Sequence, residues 1–218
     1  MENPRDNQFE NKENAVELNV VYGLDQEIER VKNTLERLPW YTQQSYKVEL
    51  PANISDQSSP EEIASSIASE YSEAGYEDFA RWIKEQWPQI PAGFEELKKI
   101  PSFHLKDAYT VFLTKYGTGG SYDALSGKVI VNIETRGKEK IIGTLVHEII
   151  HTGIEHLIVS CDVRHWYKER LVDLIGEKYF PGLTPIQHIG EDTTVIDNAF
   201  EKHFPDIEAI AREIGEAK

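Results

Sequence analysis

The chain has 218 residues with a single cysteine, Cys161, and its 38 Asp and Glu against 23 Lys and Arg give a formal charge of −15 at neutral pH. A chain of this length buries a sizeable core without staples. One cysteine excludes an intrachain disulfide and a cysteine-rich zinc module, and an acidic surface without a basic cluster disfavours nucleic acid. Residues 1–14, MENPRDNQFENKEN, carry no apolar stretch of the kind found in secretory or transit peptides. No apolar run reaches the roughly 20 residues that span a bilayer, so the expectation is a cytoplasmic protein with no membrane association.

In chain order, residues 1–14 are expected to be a disordered leader and 15–104 a mainly helical N-terminal region. Ile28, Val31, Leu35 and Leu38 fall at helical spacing within 25–38, with Pro39 ending that helix. QSYKVELP, 44–51, alternates like a short strand. Ser59 and Pro60 suit the N-cap and first position of a helix beginning EEIASSIASEY. Gly75 is expected to break that helix, and a second one carries Phe79, Trp82, Ile83 and Trp87 into the core. Nothing in this region suggests chemistry.

The character changes after Leu105. AYTVFLT, 108–114, and KVIVNI, 128–133, are β-branched and aromatic runs separated by the glycine-rich KYGTGGSYDALSG, a hairpin or irregular loop. A helix is expected over 135–159, with Ile141, Ile142, Leu145, Val146, Ile149, Ile150, Ile154 and Leu157 on one broad apolar face. Its other side carries His147, Glu148 and His151 in the pattern HExxH. Residues four apart on a helix stand one above the other, so both imidazoles can reach one metal ion. Glu148, about 100° round the helix, can face a water at the metal without occupying it.

Zinc requires a third protein ligand and an open position. Glu155 lies one turn further along the same helix, about 6 Å along the axis, and is read as a solvent-facing or ion-paired residue. DVRHWYKERLVDLIG, 162–176, reads as a second helix with Asp162 as N-cap, and it places His165, Glu169 and Asp173 on one polar stripe. Either Glu169 or His165 could complete the site.

HExxH followed by ExxxD, here Glu169 and Asp173, resembles the gluzincin group of zinc metallopeptidases. That resemblance implies His147, His151 and Glu169 as ligands of one Zn²⁺ ion, Glu148 as general base and Asp173 as the carboxylate that orients a ligand histidine. TGGSYDALSGKVIVNI is similar to the sheet segment before the active-site helix of compact, minigluzincin-like enzymes and ImmA/IrrE peptidases, whose edge strand binds the substrate backbone. Where thermolysin-like sequences have Asn and Ser beside the Glu and the Asp, this chain has Lys168 and Val172, and no subfamily is assigned. His165 as third ligand instead resembles SprT-like proteases; otherwise it is a transition-state donor or a bystander.

The expected architecture is therefore α+β and zincin-like. A small twisted sheet packs on the HExxH helix within a catalytic region over 105–218, alongside the helical N-terminal region and a helical tail. The expected function is zinc-dependent hydrolysis of a peptide or protein substrate, with Glu148 taking a proton from zinc-activated water. The alternative is a peptidase-like zinc protein that binds a partner without cutting it. His165, Tyr167, Tyr179, His188 and His203 are the candidate donors to the oxyanion. In the tail, Ile196, Phe200, Ile207 and Ile210 are read as core.

Overall fold

The computed structural model describes residues 16–90 and 92–217, so the expected leader, 1–14, lies outside the described residues. The architecture is α+β, with a mixed four-stranded sheet in the order β1-β2-β4-β3. These strands are β1 (Glu17–Val21), β2 (Ala108–Thr114), β3 (Gly120–Asp123) and β4 (Lys128–Asn132). β1 and β4 flank β2 in parallel, and β3 closes the far edge antiparallel to β4. Consequently 108–114 and 128–132 are not two arms of a hairpin. The chain leaves β2, forms edge strand β3 within the glycine-rich connection, and returns to insert β4 between them.

The sheet's inner face presents Tyr109, Val111, Leu113, Val129 and Val131, all buried. The long helix α6 (Ile133–Ser160) packs on this face, and a single apolar cluster runs from Val16 to Ile214. Asn132 caps α6 by accepting from the backbone N–H groups of Glu134 and Thr135. Gly137 then breaks it, at φ 63° and ψ 172°, a conformation that a side chain would oppose. Residues 141–154 are all buried, so the expected two-sided helix is enclosed on every side, with its histidines facing a polar cluster inside the protein.

The N-terminal region differs from expectation in four places. ELNVV forms β1, which borrows its hydrogen bonds from β2 far along the chain. α1 (Leu24–Glu36) ends at Arg37, and Pro39 sits in the first turn of a further helix, α2 (Leu38–Gln43), where a missing N–H costs nothing. Residues 44–51 do not form a strand. Ser45 takes φ 59° at their start, and Glu49 alone pairs across to Gly117. α3 (Pro60–Glu70) begins with the expected Ser59 cap, completed by Glu62 as a capping box. It ends before Gly75, which lies within α4 (Glu73–Gln86).

A 3₁₀ turn (Trp87–Gln89) and α5 (Gly93–Leu97) lead back to the sheet. α1 and α3 enclose a smaller apolar cluster of Val31, Ile63, Ile67 and Tyr116. After α6 the chain turns through Cys161 and Asp162, the latter at φ 52°. Asp162 is thus part of the turn and does not cap α7 (His165–Tyr179), whose N-cap is Arg164. α8 (Thr194–His203) and α9 (Ile207–Glu216) bury Ile196, Ile207 and Ile210 against the core, with Phe200 half-buried. No described helix is long and apolar enough to cross a membrane.

Candidate metal centre

α6 and α7 pack together and bring His147, His151 and Glu169 to one point. The two histidine Nε2 atoms are 3.0 Å apart, and Glu169 Oε2 lies 3.4 Å from His147 Nε2 and 3.2 Å from that of His151. All three residues are buried. Donors bonded to one zinc ion at 2.0–2.1 Å with tetrahedral angles stand about 3.3 Å apart, and the three observed separations bracket that spacing. The cluster could hold a metal ion.

The same atoms fit poorly as a hydrogen-bonded network. Three acceptor-capable atoms meet at one place, and a proton on either imidazole serves only one of the contacts. Both Nδ1 atoms, and Asp173 Oδ1, are buried without a hydrogen-bond partner. Asp173 Oδ1 stands 3.7 Å from His147 Nδ1, too far for a hydrogen bond but facing it. Its other oxygen accepts from the backbone N–H of Gln187 at 2.8 Å.

Burial and charge set the electrostatics. Burial draws His151 down to about 4 and pushes Glu148 up to about 7 and Asp173 up to about 6. For Glu169 burial acts upward, but the two imidazoles outweigh it and hold the carboxylate well below its usual range. At His147 burial acts downward and is overcome by the hydrogen bond to Glu169 and the carboxylates of Glu148, Glu169 and Asp173, which raise it.

Edge strand β3 forms one wall. Tyr122 stacks on the His151 ring, centroids 4.9 Å apart, and donates from its hydroxyl to Glu155 at 2.5 Å. Lys168 donates to that hydroxyl at 3.0 Å, so Glu155 is tied into the wall and lies outside the metal cluster. Gly120 has no room for a side chain: a Cβ there would lie 2.2 Å from Glu148 Oε1. The base candidate therefore rests directly against the strand.

These residues line a cleft of about 470 Å³, which also admits Arg37, Trp40, Tyr46, Arg136, His165 and Gln187. His165 stands outside the metal cluster. Its Nε2 meets the Tyr46 hydroxyl at 2.7 Å, and its Nδ1 is 3.8 Å from Glu169 Oε1. Burial lowers the pKa of His165 and raises that of Tyr46, so a neutral ring accepts from the phenol. Of the five expected oxyanion donors only His165 lines the cleft. Tyr167 is buried, His188 exposed, and His203 paired with Glu213.

Sequence reasoning missed Tyr46, and with it Tyr122 and Arg136 of the cleft wall. The Tyr46 segment packs among Trp40, Tyr41, His165 and Trp166 instead of joining the sheet. The N-terminal region, in which no chemistry was expected, thus supplies part of the cleft. Aromatic clustering around YTQQSY was the available signal. No protein-family model, curated protein or solved structure matches the chain.

Proposed function

We propose that this chain is a zinc metallopeptidase of zincin-like build. The observation that carries the reading is the convergence of His147, His151 and Glu169 on one point at zinc-compatible spacing, with Glu148 beside them in an open cleft. Two imidazoles and a carboxylate suit zinc and leave a fourth position for water or substrate. Zinc held there would supply Lewis acidity to the scissile carbonyl and acidify water.

The chain's own residues account for the rest. Glu148, raised towards neutrality by burial, accepts the proton of the attacking water and passes it to the departing amine. Asp173 faces the Nδ1 edge of His147 and favours the tautomer that leaves Nε2 free. Tyr46, kept protonated by burial, lines the cleft and would turn its single hydroxyl proton from His165 to the developing oxyanion. The outer edge of β3, unpaired among the described residues, is suited to an extended peptide joining as a further strand.

The test is metal analysis of the purified protein followed by digestion of a peptide library with and without chelator. We expect about one zinc per chain and chelator-sensitive cleavage, with Glu148→Gln keeping zinc and losing about 10²–10⁴-fold in rate. Undiminished cleavage by that variant would overturn the assigned base. Bound zinc without any cleavage would favour the peptide-binding alternative.

A further inference from the structure

Arg136 is a cation of the cleft wall that forms no ion pair among the described residues, whereas the other arginine there, Arg37, is exposed. Neighbouring lysines are engaged: Lys115 pairs with Glu134 at 3.4 Å, Lys138 with Asp78 at 2.5 Å, and Lys168 donates to Tyr122. Arg136 makes no hydrogen bond or ion pair among the described residues, and its Nε is buried without a partner. It nevertheless lines the cleft that holds Glu148 and the metal cluster.

Its position is fixed by backbone. It ends the first turn of α6 immediately before the break at Gly137. The guanidinium lies against Gly119, where a Cβ would come within 2.4 Å of Nε and Nη2. Gly120 does the same for the Glu148 carboxylate. Two successive glycines thus make room for a guanidinium and for a carboxylate at the start of β3, and the arginine's charge opposes the effect of burial on Glu148 without an ion pair between them.

We propose that Arg136 anchors a carboxylate of the substrate, so that the peptides cleaved here carry a negative charge beside the scissile bond. This rests on the peptidase reading and names its substrate class. A guanidinium presents a planar fork that matches a carboxylate in two parallel hydrogen bonds, and partial desolvation strengthens them. A chain of charge −15 repels anions at a distance. Recognition of an acidic group therefore has to be local, and an unpaired arginine inside the cleft provides it. The carboxylate is either the peptide's C-terminus or an Asp or Glu side chain.

The experiment uses two matched peptide pairs built on a cleaved library peptide. One pair is identical except for a free or amidated C-terminus; the other is amidated and carries Glu or Gln at one position near the cut. The zinc-loaded full chain should prefer the charged member of one pair, and that pair identifies the source of the carboxylate. Arg136→Gln should lose about 10- to 100-fold in kcat/KM on that member alone, with partial recovery in Arg136→Lys.

In parallel, calorimetry measures acetylated hexa-alanine, as free acid and amide, and amidated versions with a central Glu or Gln. The proteins are Glu148→Gln and the double variant carrying Arg136→Gln as well. Carboxylate-dependent binding lost in the double variant is expected, and this arm reads out even if no peptide is cleaved, which by itself would sink only the peptidase reading. Equal handling of charged and uncharged members by the wild type, or a preference that survives Arg136→Gln, overturns the proposal. So does an equal rate loss on both members, which would assign Arg136 to tuning Glu148.

Discussion

Two buried carboxylates, Glu27 and Glu169, show opposite ways of being held. Glu27 on α1 is closed: it accepts from the Tyr76 hydroxyl, from Thr114 Oγ1 at 2.5 Å and from the backbone N–H of Lys115 at 2.8 Å. Each contact brings its own proton, and the cluster ties α1 to the end of β2 and to α4. Glu169 faces two imidazoles whose protons cannot satisfy all three contacts, with orphaned Nδ1 atoms behind them. A network complete in itself holds a fold together; one that leaves its contacts unsatisfied could hold a metal ion.

The largest predicted effect breaks the closed cluster. Glu27→Ala removes the shared acceptor of the Tyr76 hydroxyl, Thr114 Oγ1 and the Lys115 N–H at a residue only 1% exposed, so the loss should be about 3–5 kcal/mol in unfolding free energy. Urea denaturation measures it, and zinc stoichiometry of the folded fraction should be unchanged. A loss of less than about 1 kcal/mol would show the cluster to be replaceable by water.

The converse experiment acts on the open cluster. Glu169→Gln should weaken zinc binding by more than the 10- to 100-fold typical of groups that only orient a ligand, while costing the metal-free protein little stability. Asp173→Asn, which faces the Nδ1 edge of His147 and stays clear of the metal-facing atoms, should fall within that 10- to 100-fold range. Competition against a chelating dye gives both affinities. If Asp173→Asn proved the more damaging, the order of roles on α7 would be reversed.

What was legible in the sequence follows from how local each feature is. The Ser59 cap needs only its own first turn, and β2 and β4 announce themselves through Val, Ile, Phe and Tyr. His147, His151, Glu169 and Asp173 could be gathered because both helices keep fixed side-chain spacing and one turn joins them. The failures depend on distant partners. β1 exists because β2 is there to pair with it, and Tyr46 matters because His165, 119 residues away, accepts its hydroxyl. The kink at Gly137 and the full enclosure of 141–154 arise from tertiary packing that periodicity alone does not register.

A second pair of histidines sharpens the comparison with the smallest effect. His104 and His156 stack nearly parallel at 3.8 Å between centroids. Flat stacking sets ring face against ring face, so the nitrogens do not converge as they do at 147 and 151, and this pair lies outside the metal-capable cluster. His156→Gln should leave zinc stoichiometry untouched. Burial first, and then the charge of His104, lower the pKa of His156. Below the ordinary value of about 6.5, the unfolded chain therefore takes up a proton that the folded one resists. Folded-state stability falls as the pH drops through that window. Because His156 is largely exposed, the effect should stay well under about 1 kcal/mol. Urea midpoints at pH 7 and pH 5 measure it: the wild type should lose slightly more stability on acidification than His156→Gln, and identical losses would remove the pair from the pH dependence altogether.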